Sequence, residues 1–396
     1  WTYVDFHPWG WSSTDHYSRD RDSYSAEVRW LSGEASRLWG DSTDWVAGAY
    51  LLDNDEDLGR VVTYIPGAFA SRYDTRSMAL FAQLDTQLSD KLRLSYGARV
   101  ERRDTDYEDN NGVSYDRDRT LWGGQVTLQY IAMENSMLYA RVARGYRANG
   151  INADILASAA IEADPGTRAM LNGAGDFDAE YLDNLELGWK HRSDDGSWQT
   201  RLALFYMDRS DQQVKGSLVV PVPGGGTSFI DFTDNAAEGN NYGLELELNW
   251  TASDTLQLHA ALGVLRTEFD EFINLFGEDR AGRDQTQAPE YQFSLGASYQ
   301  GHSGVFFDIT LDGKDGFLFS DRHDASADAV ELLSARVGYR GDDWEVALWG
   351  NNLVDEDYYI RGFGSFGNDP RNDYKTEPYY QLGEPRVIGI SASVEF

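Results

Sequence analysis

The chain has no cysteine, so no disulfide staples it and no thiolate serves as nucleophile or soft metal ligand. Proline is scarce, 9 in 396 residues, and no Pro/Gly-rich linker divides the sequence, so a single domain is the simplest organisation. No uninterrupted apolar run reaches 18 residues, which excludes a protein built from membrane-spanning helices. The six histidines (His7, His16, His191, His259, His302 and His323) are scattered and form no HExxH or comparable metal-ligand spacing. Gly364-Ser365-Phe366 lacks the rest of a nucleophile elbow, and the glycine-rich residues 223–226 lack the Lys-Ser/Thr of a phosphate loop. No catalytic residue, metal site or cofactor is therefore assigned. Positive charge is in deficit: 34 Lys and Arg stand against 66 Asp and Glu, a net charge of -32. A long nucleic-acid groove needs a positive face, so no nucleic-acid partner is expected.

What is abundant points one way. There are 12 Trp, 23 Tyr, 18 Phe and 39 Gly, which suits β architecture with many turns and aromatic girdles. The primary signal is alternation with period two. Ile388, Ile390, Ala392, Val394 and Phe396 share one face, while Gly389, Ser391, Ser393 and Glu395 share the other. Leu92, Leu94, Tyr96, Ala98 and Val100 likewise oppose Arg93, Ser95, Gly97, Arg99 and Glu101. Leu244, Leu246, Leu248 and Trp250 oppose Glu245, Glu247 and Asn249. Met78, Leu80, Ala82 and Leu84 continue the pattern, with Phe81 an exception on the polar side. The apolar faces often end in aromatics and the opposite faces carry charges and glycines. That is the inverse of a soluble sandwich: apolar toward lipid, polar toward a wet lumen.

Short turns are expected near residues 89–90, 134–135, 194–196, 253–254, 301–304 and 341–343. Long polar loops are expected at 104–118, 149–180, 216–228, 274–287 and 362–382. Short turns on one side and long loops on the other is the outer-membrane arrangement. The fold class is thus all-β, a transmembrane antiparallel β-barrel with about 15–16 strands present. A closed single-chain bacterial barrel has an even count, so a count that starts mid-pattern predicts that the first strands are absent. The acidic runs Asp53, Asp55, Glu56, Asp57 and Asp104, Asp106, Glu108, Asp109 read as solvated loops, since neither has the spacing and glycine of a calcium loop. Overall acidity mildly disfavours an anionic ligand, although local arginine clusters can overrule it.

Several segments, in order, resemble those of TonB-dependent receptors. Residues 23–29 read SYSAEVR, residues 138–152 LYARVARGYRANGIN, residues 181–190 YLDNLELGWK and residues 204–214 LFYMDRSDQQV. Residues 243–250 read GLELELNW, residues 265–272 LRTEFDEF and residues 351–358 NNLVDEDY, and the chain closes with GEPRVIGISASVEF. Each match alone is weak; together they cover nearly the whole sequence. The siderophore-receptor branch is the nearest in flavour. The resemblance implies a 22-stranded barrel of which residues 1–396 form the C-terminal portion, with the N-terminal plug, its TonB-contacting box and the first strands outside this chain. It also implies active import of a scarce small-molecule ligand, such as a metal–siderophore complex, a vitamin or an oligosaccharide. Energy would come from the TonB-ExbB-ExbD complex acting through the missing N-terminal region. A passive porin or open channel is the alternative. An outer-membrane enzyme finds no legible constellation.

Candidate ligand-binding residues lie in two loop segments: Tyr146, Arg147 and Asn149 in one, and Arg361, Phe363, Phe366, Arg371 and Tyr374 in the other. Function concentrates on loops held by a rigid scaffold. Arginine binds carboxylate or catecholate oxygens, and rings stack on planar ligands. Packing at the barrel mouth is the competing role. The terminal Phe396, with Val394 on the same face, resembles the signal read by the barrel-assembly machinery. Outer-membrane lipid is the expected surrounding.

Overall fold

The computed structural model describes residues 2–6, 12–63, 67–161, 165–221, 227–273, 278–320, 323–366 and 377–395. In chain order the first half carries β1 (Thr2–Phe6), β2 (Ser12–Leu31), β3 (Thr43–Val62), β4 (Phe69–Ser89), β5 (Leu92–Asp109), β6 (Ser114–Met133) and β7 (Ser136–Arg147). There follow β8 (Gly150–Ile151), α1 (Ala153–Ile161), α2 (Pro165–Gly173), β9 (Asp176–Phe177), β10 (Glu180–Arg192) and β11 (Trp198–Pro221). Next come β12 (Thr227–Ser253), β13 (Leu256–Phe272), β14 (Tyr291–Gln300), β15 (Val305–Lys314), β16 (Phe317–Ser320) and β17 (His323–Ala327). The chain ends with β18 (Val330–Arg340), β19 (Trp344–Asn351), β20 (Tyr359–Phe366), β21 (Glu377–Leu382) and β22 (Val387–Val394).

Sixteen strands form one antiparallel sheet in the order β1-β2-β3-β4-β5-β6-β7-β10-β11-β12-β13-β14-β15-β18-β19-β22. Every neighbour in this meander is a hairpin partner, so the expected 15–16 strands and their topology are borne out. Three small hairpins, β8–β9, β16–β17 and β20–β21, sit in the connections. The short turns fall where the sequence places them. At residues 301–304 the chain reverses through Gly304, whose φ of +89 is a conformation that suits glycine.

The long connections differ from expectation. Residues 104–118 are mostly strand: β5 runs to Asp109 and β6 resumes at Ser114, leaving a tight tip through Gly112 at φ +82. Residues 216–228 likewise extend β11 and β12, and the acidic run 53–57 lies inside β3. About 9–11 tilted residues cross a bilayer. β2, β3 and β6 have 20 residues and β4 has 21, so about half of each stands clear of the lipid. Above the lipid a strand has no need of an apolar face, which is why these parts read as loops.

Register makes the two faces explicit. Val28, Ala49, Leu80, Val100 and Trp122 are consecutive cross-strand partners from β2 to β6. Leu80 is 69% exposed, and Val28, Val100 and Trp122 are exposed with it, as a lipid-facing row must be. The opposite face carries buried Ser77, Ala79, Glu101, Thr105 and Leu121. Phe81 belongs to this inward face: it pairs with Gly48, where a Cβ would overlap its ring. Tyr139 over Gly188 repeats the device, which explains aromatics on the polar side of the alternation; Phe293 over Gly313 uses it on the outward face.

The same parity sorts charge. Six residues further along the outward face from Leu80, Asp22, Asp55, Asp74, Asp106 and Asp116 are direct cross-strand partners, an unbroken aspartate row. On the inward face at that height stand Arg19, Arg21, Arg103, Arg117 and Arg119.

Candidate functional site

The segment between β7 and β10 builds the site. Its helices pack through Ile155, Ala159, Leu171 and Ala174 onto Phe232 of β12, forming a buried cluster in which Ile155 has no exposed surface. Pro165 opens α2, where a missing N–H costs nothing. Three amide side chains then fasten the segment to the sheet. Asn152 donates from Nδ2 to the Ala174 carbonyl at 2.8 Å and the Thr233 carbonyl at 2.6 Å, and its Oδ1 accepts the Thr233 N–H at 2.8 Å. Gln213 donates from Nε2 to the carbonyls of Ala148 and Asp178, both at 2.9 Å. Asn235 donates to the carbonyls of Asp178 and Asp211 and accepts the Asp178 N–H. Each amide imitates a strand edge, satisfying backbone groups that an irregular segment would leave unpaired.

Ion pairs tie the segment to other strands. Arg117 pairs with Asp176 and, at 2.8 Å, with Asp178; Arg119 reaches Asp178 at 2.8 Å. Arg60 of β3 lies 3.5 Å from Asp154 of α1. The segment is thus anchored to β3, β6, β11 and β12. Between it and the inward face of β2–β5 lies a cavity of about 530 Å³, within the size range of small-molecule sites, roughly 300–1,000 Å³. Tyr73 and Tyr107, direct partners on β4 and β5, give it an aromatic wall. Arg19, Glu56, Arg103, Arg147, Asn149 and Gln213 supply the polar lining.

Two of the residues singled out from sequence, Arg147 and Asn149, line this chamber. Tyr146 is elsewhere: its hydroxyl donates to Glu101 at 2.9 Å and accepts from Arg99 Nε at 3.1 Å, and its ring covers Gly123. It is a wall tie between β7 and β5. Arg361 lies exposed on the β20–β21 hairpin, opposite Gln381. That hairpin packs on the β16–β17 cluster, with the Tyr380 ring 5.8 Å from Phe319. The strand positions of Phe363 and Phe366 pair with Tyr379 and Glu377; their side chains, and all of Arg371, Tyr374 and Phe396, lie outside the described residues. Val394 is 58% exposed on the outward face of β22, opposite Trp344. Sequence reasoning missed Arg103, Asn152, Gln213 and Asn235. For Arg103 the parity of β5 carried the signal. The amides had none, because their partners are backbone atoms distant in sequence. Among the described residues no group of three or more His, Cys, Asp or Glu is placed to hold a metal ion.

The geometry coincides with a family match. Residues 1–353 match the model of the TonB dependent receptor-like β-barrel. The chain belongs to this family. Among curated relatives, the pesticin receptor of Yersinia pestis is 23% identical over 96% of the chain and 54% of the relative. That of Yersinia enterocolitica is 26% identical over the same shares. Among solved structures, the ferric yersiniabactin uptake receptor FyuA from Yersinia pestis superposes with a TM-score of 0.71 at 17% identity, covering 97% of this chain and 55% of that one. The copper transporter OprC superposes with a TM-score of 0.67 at 14% identity, covering 98% and 58%. These likenesses show a shared fold. The chain spans about half the length of the curated relatives it matches. Receptors of this family reside in the bacterial outer membrane, and the lipid-facing rows of β2–β6 suit that place.

Proposed function

We propose that the chain is the C-terminal barrel portion of an active outer-membrane importer, which receives a scarce ligand in the chamber behind residues 147–154. Energy comes from the TonB-ExbB-ExbD complex through a plug that precedes these strands in the whole protein. The observation that carries the reading is the family match over residues 1–353, joined to a walled chamber beneath an inward-folded segment. The pesticin-receptor and siderophore-receptor relatives make a metal–siderophore complex the first ligand to test. The barrel-assembly machinery reads the C-terminal strand through Phe396 and Val394. A passive porin is less well supported, because the segment between β7 and β10 is fastened across the inward face by three ion-pair sites and three amides. The reading is of a receptor and carries no catalytic step.

The test uses the full-length protein in its own outer membrane and a panel of radiolabelled ferric chelates. Accumulation should require the proton gradient and intact TonB. Entry of the chelates at the same rate in de-energised cells would replace the importer with an open channel.

A further inference from the structure

The chamber's charges are unequally matched. Both acids that line it are engaged: Glu56 by Arg19 at 3.0 Å and by Arg21, and Asp154 by Arg60 at 3.5 Å. Arg103 and Arg147 line the same space, and among the described residues neither has an ion pair or a hydrogen bond; the Arg103 Nε is buried. Two guanidiniums therefore line the chamber without an ion pair among the described residues, with Glu180 across the ladder from Arg147, in a protein whose net charge is -32. Asn149 and Gln213 also line the chamber, 3% and 7% exposed; among the described residues Asn149 Oδ1 and Gln213 Oε1 have no donor, and neither atom has surface open to it. The Gln213 amide cannot turn over without losing its bonds to Ala148 and Asp178, so its oxygen is fixed as an acceptor.

We infer that the chamber selects a polycarboxylate, free or as a metal complex; this rests on the reading of the chamber as the ligand site. Arg103 and Arg147 take the carboxylates, since a guanidinium matches a carboxylate with two parallel hydrogen bonds. The outward aspartate row does not oppose this. It lies on the other face of the sheet in contact with solvent, where salt screens it over about 8–10 Å.

The test is equilibrium binding by the full-length protein in detergent, with citrate as probe and its uncharged triethyl ester as control. Citrate should bind and the ester should not. Arg103→Gln and Arg147→Gln should each weaken citrate binding about tenfold, and the pair about a hundredfold, since a charge-assisted hydrogen bond contributes about 1.5–3 kcal/mol. Arg103→Lys with Arg147→Lys should recover part of the loss. Arg102→Gln, next in sequence but on the outward face with Asp104 and Asp118, should change nothing. Heat-modifiable gel mobility reports folding of each variant. Citrate binding no tighter than the ester, or unchanged in the double glutamine variant, overturns the inference. If arginine-dependent citrate binding holds while energised uptake is absent, the import reading falls and the anion preference stands.

Discussion

Replacing Asn152 with alanine should free the helical segment while leaving the barrel intact. The side chain is 7% exposed and makes three hydrogen bonds, to the Ala174 carbonyl and to both backbone groups of Thr233. At about 1 kcal/mol net for each bond, the loss is about 3 kcal/mol, equivalent to roughly a 150-fold rise in local opening. The competing anchor is the apolar cluster around Ile155 and Leu171, whose burial contributes about 1.5–3 kcal/mol per side chain. The two terms are comparable, so the segment should open locally without leaving the mouth. Hydrogen exchange read by mass spectrometry is the assay. Peptides covering α1 and α2 should lose protection by about two orders of magnitude, while those covering β13 should not change. Asn152→Asp should be worse than alanine, because a carboxylate would face the Ala174 and Thr233 carbonyls. Unchanged exchange of α1 and α2 in Asn152→Ala would refute the clamp and leave the apolar cluster, the ion pairs and the other two amides as the anchors.

Other perturbations test other layers of the fold. Leu187, 50% exposed on the outward face of β10, should lose about 2–4 kcal/mol on replacement by arginine if it lies near the bilayer midplane, read as a lower folded fraction in liposomes. Gly188→Val would drive a side chain into the Tyr139 ring and break the 2.6 Å bond from the Tyr139 hydroxyl to Glu186. It should lower the urea midpoint by the equivalent of about 1–3 kcal/mol, with partial recovery in Gly188→Val/Tyr139→Ala. In the turn after β10, the Ser193 hydroxyl and the N–H and hydroxyl of Ser197 hold the Asp195 carboxyl at about 2, below its ordinary 3.8. Its contribution to the turn is complete above the ordinary value and disappears as pH falls through about 2. A carboxyl titration by NMR should give that midpoint, and a midpoint near 4 would remove the serine contacts from the account.

The sequence made the membrane half of the sheet legible because lipid on one side and water on the other impose alternation. From Leu92 to Val100 every apolar residue named from sequence shares one face of β5. The upper half was read as loops at 104–118 because both faces there meet polar surroundings. Arg103, Thr105 and Tyr107 point in, Asp104, Asp106 and Glu108 point out, and no apolar residue marks the period. The site was half legible. Arg147 and Asn149 could be chosen by residue type on an expected loop, whereas Tyr146 was chosen by the same rule and turned out to tie Glu101 to the wall. Residue type says what a side chain can bind; only the long-range pairing of strands says whether a protein group has already taken it.

Net charge is the clearest case of a sequence quantity that register reverses. A value of -32 argues against an anionic ligand only if the acids face the ligand. On β2–β6 above the lipid most do not, and Glu56, which does, is held by Arg19 and Arg21. Asp22, Asp55, Asp74, Asp106 and Asp116 stand side by side on the outer surface, while Arg19, Arg103 and Arg119 stand on the inner one. Side chains one residue apart on a strand point to opposite sides of the sheet, so a sequence such as Arg102-Arg103-Asp104 distributes its charges between two separate environments. Like charges placed directly opposite one another are unfavourable by about 0.2–1 kcal/mol per pair, and the outer row bears that penalty in solvent, where screening keeps it small. An equal number of acids turned inward would instead have neutralised Arg103 and Arg147 in the chamber, leaving no cation for a ligand to meet.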